Sequence, residues 1–281
     1  MDVVRSINTM QLMINAVKAE GCSIGFVPTM GALHEGHLSL MRSARNECDK
    51  LIVSIFVNPI QFEREDDLAN YPHQLETDIE ISRNEDVDIV FTPCREEIYP
   101  EGFCTYVEQE KLTNRLCGKM RPGHFKGVTT IVTKLFNIIK PDKAYFGQKD
   151  YQQSVIIKRL VQDLNMDMDI KVLPIVRDKD GLALSSRNKH LSAEERLDAR
   201  CLYEALLKAK SLVAANEREV RKIVNEMENI IDAVKDARID YISLVDSDSL
   251  REKTEITGKT VAAVAVWIGS TRLIDNIVLD T

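Results

Sequence analysis

Five apolar runs of strand length punctuate the first two thirds of the chain: "CSIGFVPT" from Cys22, "KLIVSIFVN" from Lys50, "VDIVFTP" from Val87, "KAYFG" from Lys143 and "IKVLPIVR" from Ile170. They are continuous rather than alternating, the pattern of strands covered on both faces. Helical patterns fill the gaps. "HLSLMRSARNEC" carries Leu38, Met41, Arg45 and Cys48 on one side, with Arg45 edging the stripe. "LETDIEISRNE" spaces Leu75 and Ile79 by four, "VTTIVTKLFNII" turns Val128, Ile131, Val132, Leu135 and Ile139 inward, and "DYQQSVIIKRLVQDL" follows the fourth run. Strand and helix alternating in this way predict an α/β fold, a parallel sheet with crossover helices. Ligands of such sheets sit at the carboxyl ends of the strands.

The character changes after about residue 175. A polar loop, "RDKDGLALSSRN", leads into "LSAEERLDARCLYEALLKAKSLV", where Ser192 and Glu195 form a capping box. A further helical stretch near 216–235 and the strand-like runs "RIDYISLVD", "TVAAVAVWI" and "RLIDNIVLD" complete the chain. The expected organisation is an α/β domain over 1–175 and a smaller C-terminal α+β domain over 176–281.

With 281 residues and a net charge of -7, the chain is long enough for a sizeable core and too acidic for a nucleic-acid coat or a membrane-surface protein. The longest apolar run, Val261 to Gly269, is too short to span a bilayer, and "MDVVRSINTMQLM" has no signal-peptide core. Cysteines 22, 48, 94, 104, 117 and 201 make no Cys-x-x-Cys pair, so reduced thiols in the cytoplasm are expected.

Four stretches follow strands or a domain boundary and carry chemistry. In "PTMGALHEGHLSL", His34 and His37 flank the start of a helix from about Gly36, where backbone N–H groups attract anions. The other reading is a tight turn with exposed histidines. Metal ligation is disfavoured, because the spacing is three and no third ligand is near. In "FVNPIQF", Asn58 and Gln61 are amides suited to a small hydroxylated acid, although an Asn-Pro turn without a ligand would look the same. In "YFGQKDYQQS", Lys149 can meet a phosphate and Asp150 ribose hydroxyls, although a solvated Lys-Asp turn would look the same. In "LALSSRNKHL", Ser185 and Ser186 offer hydroxyls, and Arg187 can grip phosphate oxygens from a loop able to close over a nucleotide. Asp78 is a carboxylate available to Mg²⁺ or simply a solvated helix residue, and "KMRPGHFKG" is a local basic patch.

Taken in order, "PTMGALHEGH", "FVNPIQF", "RPGHFKGV", "GQKDYQQ" and "DGLALSSRN" resemble the pantoate–β-alanine ligase family of the nucleotidyltransferase superfamily over essentially the full length. The resemblance implies a Rossmann-like parallel sheet, a cytoplasmic homodimer, Mg²⁺, and ATP-dependent joining of pantoate to β-alanine through a pantoyl adenylate, releasing AMP and pyrophosphate. Carried over by motif position, Met30, His34 and His37 would contact ATP, with Lys149, Ser185, Ser186 and Arg187 on its phosphates. Gly147 and Asp150 would bind ribose, and Val176 would lie near adenine. Gln61 and Gln153 would hold pantoate's oxygens, Asn58 would belong to the same acid pocket, Phe62 and Val128 would wall its gem-dimethyl group, and Asp78 would ligate magnesium. His73 and Gln148 stand where the family commonly has Arg and Glu. A nucleotidyltransferase with a phosphorylated acceptor fits the amide-rich motifs less well. A non-catalytic nucleotide sensor would be expected to lose phosphate contacts that are all present here.

Overall fold

The computed structural model describes residues 1–62, 68–69 and 71–279. It divides into two compact units. The first comprises Met1–Thr113, Arg121–Gln148 and Gln153–Pro174; the second comprises Asn114–Met120, Lys149–Gln152 and Ile175–Thr281.

The first unit is built on β1 (Asp2–Val4), β2 (Ile24–Thr29), β3 (Lys50–Ile55), β4 (Ile89–Phe91), β5 (Lys143–Gly147) and β6 (Asp169–Leu173). All pair in parallel, in the order β1-β4-β3-β2-β5-β6. Helices α1 (Ile7–Ala19), α2 (Glu35–Glu47), α3 (Leu75–Asn84), α4 (Arg95–Ile98), α6 (His124–Ile139) and α7 (Tyr151–Asp163) make the crossovers; α5 is Leu116–Met120. The chain winds from β2 outward to β3 and β4, then restarts on the other side of β2 with β5. The strand order therefore reverses between β2 and β5, and the carboxyl ends there are the favoured ligand position.

The continuous apolar runs are explained by the layers. Side chains alternate faces along a strand, yet Phe26 and Val27 are both fully buried. Phe26 meets Phe136 of α6 edge to face at 6.3 Å. Val27 packs with Met41 and Ala44 of α2 and with Leu51 and Val53 of β3. Each large side chain buried in this way contributes roughly 1.5–3 kcal/mol. The sixth strand ends at Leu173, short of the apolar run, because Pro174 has no N–H for the ladder. The N-terminal β1, three residues long, shows no periodicity from which it could be anticipated.

The second unit has an antiparallel sheet, β7 (Ala237–Asp246), β8 (Thr260–Ile268) and β9 (Thr271–Leu279), in that order. Helices α8 (Ala193–Asp198), α9 (Cys201–Ala214) and α10 (Val220–Asp232) accompany it. Leu202, Leu206, Ile223 and Met227 pack with Ala262, Val264 and Val266 of β8 into one core. The Ser192–Glu195 capping box forms as expected, with Glu195 N–H donating to Ser192 Oγ at 3.1 Å and Ser192 N–H to Glu195 Oε2 at 2.8 Å. Among the described residues, no helix is long and apolar enough to cross a membrane.

Two residues of β9 order the loops that matter later. Asp275, 3% exposed, accepts two bonds from the Arg177 guanidinium, at 2.6 and 2.9 Å. That guanidinium also donates to the Gly181 carbonyl at 3.1 Å and lies 3.9 Å from the Tyr203 ring centroid. The Asn276 amide donates to the Lys149 carbonyl at 3.0 Å. Removing one partner of a buried pair strands the other charge. Replacement Asp275→Ala is expected to cost about 3–5 kcal/mol, read as a lower urea midpoint. An unchanged midpoint would mean that the pair is not structural.

Candidate active site

At the carboxyl end of β2 the backbone makes a left-handed turn, with φ of 82° at Gly31 and 52° at Ala32. A carboxylate holds this turn. Asp78 of α3, 1% exposed, accepts from Ala32 N–H at 2.8 Å through Oδ2, and from Leu33 N–H at 2.9 Å and Gln74 Nε2 at 3.1 Å through Oδ1. A β-carbon on residue 31 would stand only 2.8 Å from Asp78 Oδ2, so glycine is required there by both conformation and space.

The turn delivers His34 to the cap of α2, which starts at Glu35, one residue before the expected Gly36. His34 Nδ1 accepts from Gly36 N–H at 3.2 Å, and His37 Nδ1 accepts from His34 N–H at 3.3 Å. The ring centroids are 4.2 Å apart. A neutral imidazole that accepts through Nδ1 carries its proton on Nε2. Both rings are therefore Nε2–H donors beside the positive end of α2, an arrangement suited to oxyanions.

At the carboxyl end of β3, Asn58 leads into a short helical turn, Pro59–Gln61. The Asn58 amide is 1% exposed and engaged by protein on all sides. Its Nδ2 donates to Gln61 Oε1 at 3.0 Å and to the Gly127 carbonyl at 3.1 Å, while Oδ1 accepts from the Tyr99 hydroxyl at 2.8 Å. The resemblance put Asn58 in the acid pocket; within it, its amide is bonded to Gln61, Gly127 and Tyr99. Gln61 Nε2 donates to Met30 Sδ at 2.8 Å, joining the turns after β2 and β3. The Gln61 carbonyl takes a 2.8 Å bond from His124 Nδ1. A β-carbon at Gly127 would lie 2.6 Å from the Ile60 carbonyl, so α6 can approach this turn only with glycine there. A cavity of about 210 Å³ opens beside Gln61 and Phe62, with Tyr106, His124 and Lys126 in its wall. Phe62 meets Tyr71 edge to face at 5.8 Å, and Val128, 2% exposed, sits in α6 just after Gly127. Gly147 ends β5, and Gln153 is half-buried in the first turn of α7.

In the second unit, Lys149 is half-buried and Asp150 exposed in the helical turn Gln148–Asp150. Val176 and Leu184 are joined by a 3.0 Å backbone bond, in the segment that Arg177 ties to β9. Ser185 caps the turn Ser186–His190 by accepting from Arg187 N–H at 3.3 Å; Ser186 is buried and Arg187 half-buried. No sequence pattern marks Tyr99, Arg177 or Asp275, whose contacts are long-range.

Asp78 does not fit the magnesium role that the resemblance implied. Both its oxygens accept protein N–H groups, and it is almost fully buried. Its observed work is to satisfy two buried N–H groups of the turn before His34. Replacing it with alanine leaves those donors unpaired, at about 1–3 kcal/mol each. Asp78→Ala is expected to lower the urea midpoint accordingly, and Mg²⁺ titrated onto the unmodified chain without nucleotide should release no saturable heat. A saturable isotherm lost in the variant would restore the ligand role.

A family model described as pantoate-beta-alanine ligase matches residues 2–278. The pantothenate synthetase of Moorella thermoacetica is 52% identical over 280 residues, covering 100% of this chain and 99% of its own. That of Thermosipho africanus is 51% identical over 279 residues, covering 99% and 100%. Among solved structures, pantothenate synthetase from Thermus thermophilus superposes with a TM-score of 0.94 at 40% identity, with 99% of each chain covered. The pantoate-beta-alanine ligase of Francisella tularensis, complexed with beta-gamma ATP and beta-alanine, gives 0.82 at 39% identity, covering 99% of this chain and 97% of that one. With the parallel sheet, its motif-bearing turns and these full-length matches in agreement, the chain belongs to the pantoate–β-alanine ligase family of enzymes.

Proposed function

We propose that this chain condenses pantoate with β-alanine in two steps, using ATP and releasing AMP and pyrophosphate. In the first, a pantoate carboxylate oxygen attacks the α-phosphorus of ATP and pyrophosphate departs, leaving pantoyl adenylate. In the second, the β-alanine amine attacks the acyl carbon, the ammonium proton goes to solvent or a base, and AMP leaves. The carboxylate needs no base, since it is already ionised; it needs a good leaving group, which adenylate supplies.

The observation that carries this reading is the pair of Nε2–H donors, His34 and His37, at the start of α2 and at the switch-point end of β2. Donors fixed before substrate arrives cost no reorganisation when charge develops on phosphate oxygens. Lys149, Ser185, Ser186 and Arg187 serve the same phosphates, while Met30, Gly147, Asp150 and Val176 serve the rest of the nucleotide. Gln61 and Gln153 hold pantoate oxygens, with Phe62 and Val128 as apolar walls. The cavity of about 210 Å³ that Gln61 helps to line suits a small acid. The Francisella tularensis ligase has been solved with beta-gamma ATP and beta-alanine, which supports the same substrates here. A cytoplasmic homodimer belongs to this reading too.

Pantoate-dependent exchange of labelled pyrophosphate into ATP, without β-alanine, tests the first step. Exchange is the expected result; its absence, with ADP appearing when both acids are added, would replace the adenylate by an acyl phosphate. Lys149→Ala and Arg187→Ala should each slow exchange by about 10²–10³-fold, the usual effect of one oriented donor. Full exchange in both would remove them from the phosphates.

A further inference from the structure

We infer that Tyr99 is a positioning residue, which acts through Asn58 to fix Gln61 as a hydrogen-bond donor toward the acid substrate. The inference rests on the reading of Gln61 as a pantoate contact.

The argument follows the amides outward. The Gly127 carbonyl, 3.1 Å from Asn58 Nδ2, can only accept, so the nitrogen of Asn58 must face it. The oxygen of Asn58 then faces the Tyr99 hydroxyl at 2.8 Å, which donates to it. With Asn58 set, its second N–H points at Gln61 at 3.0 Å and demands an acceptor, so Gln61 turns Oε1 inward and Nε2 outward. One outward N–H meets Met30 Sδ, a weak acceptor. The Gln61 oxygen is thus committed to Asn58, and beyond Met30 its nitrogen has a second N–H to offer. That polarity matches carboxylate and hydroxyl oxygens and rejects a group that can only donate.

Tyr99 supplies the one donor to the buried Asn58 oxygen seen in these bonds. Its ring is held independently of its hydroxyl, packed against Phe56 at 6.2 Å and Phe103 at 4.9 Å, with the Lys134 ammonium 5.8 Å from its centroid. Burial pushes the phenol up from its ordinary value, so it stays a protonated donor. Deleting the hydroxyl leaves a buried amide oxygen unpaired, and the cheapest relief is for Asn58, and Gln61 with it, to rotate or shift. The sequence alone shows none of this, since Tyr99 and Asn58 are 41 residues apart.

The test measures initial rates with Tyr99→Phe, Asn58→Asp, Gln61→Ala and the double variant Tyr99→Phe/Gln61→Ala. Tyr99→Phe should raise the pantoate KM roughly 10-fold with the ATP KM unchanged. Asn58→Asp, which sets a carboxylate against the Gly127 carbonyl and Gln61 Oε1, should raise it further, roughly 100-fold. In the Gln61→Ala background, Tyr99→Phe should add nothing to the pantoate KM, an outcome that a merely structural tyrosine would not produce. If Gln61→Ala raises the pantoate KM but Tyr99→Phe leaves it alone, or adds fully to it, the relay is wrong while the site reading stands. If Gln61→Ala leaves the pantoate KM unchanged, the site reading fails and the relay falls with it.

Discussion

Parallel pairing of β2, with β3 on one side and β5 on the other, is the constraint from which the rest of the first unit follows. Parallel neighbours cannot be joined by a hairpin, so each strand must be followed by a crossover, and all carboxyl ends emerge at one edge. That edge gathers the turn of Met30–His34 and the turn of Asn58–Gln61, and it supplies the end of β5 at Gly147. Nothing in the turns themselves would bring Met30 to Gln61; the 2.8 Å contact between them exists because β2 and β3 are in register from Ile24–Lys50 to Thr29–Ile55.

The chemistry divides along the same lines. The first unit offers neutral donors whose orientation is fixed by other protein groups: two imidazoles set by backbone N–H groups, and one amide set by Asn58. Neutral donors recognise oxygen without the desolvation cost of a buried cation. The second unit carries two cations, Lys149 and Arg187, on turns that β9 orders through Asn276 and Asp275.

The central strands β2 and β3 were legible because packing on both faces writes itself into a continuous run: Phe26 and Val27 are adjacent, opposed and both fully buried. The Ser192–Glu195 cap was legible because capping is local. His34 and His37 were visible as a pair for the same reason, although their tautomers were not. What was not legible is what crosses the chain. Asp78 reads as a surface or metal carboxylate until Ala32 and Leu33, 46 and 45 residues earlier, are found on its oxygens. Asn58 reads as a ligand residue until Tyr99 and Gly127 account for its amide. Both revisions have one cause: a polar side chain near a site is as easily recruited by buried backbone as by substrate.

The edge strand β1 has a kinetic meaning. Asp2, Val3 and Val4 pair with Ile89, Val90 and Phe91, and backbone bonds at either end, Asp2 N–H to Asp88 and Thr92 N–H to Val4, finish the ladder. The first residues of the chain must therefore wait for β4, with β2, β3 and the intervening segments held in the closed loop. Such long-range closure slows folding. Until it happens, the backbone edge of β4 is open to any extended strand, including that of another nascent molecule. In the folded sheet β1 covers the backbone edge of β4 that would otherwise be open to another strand.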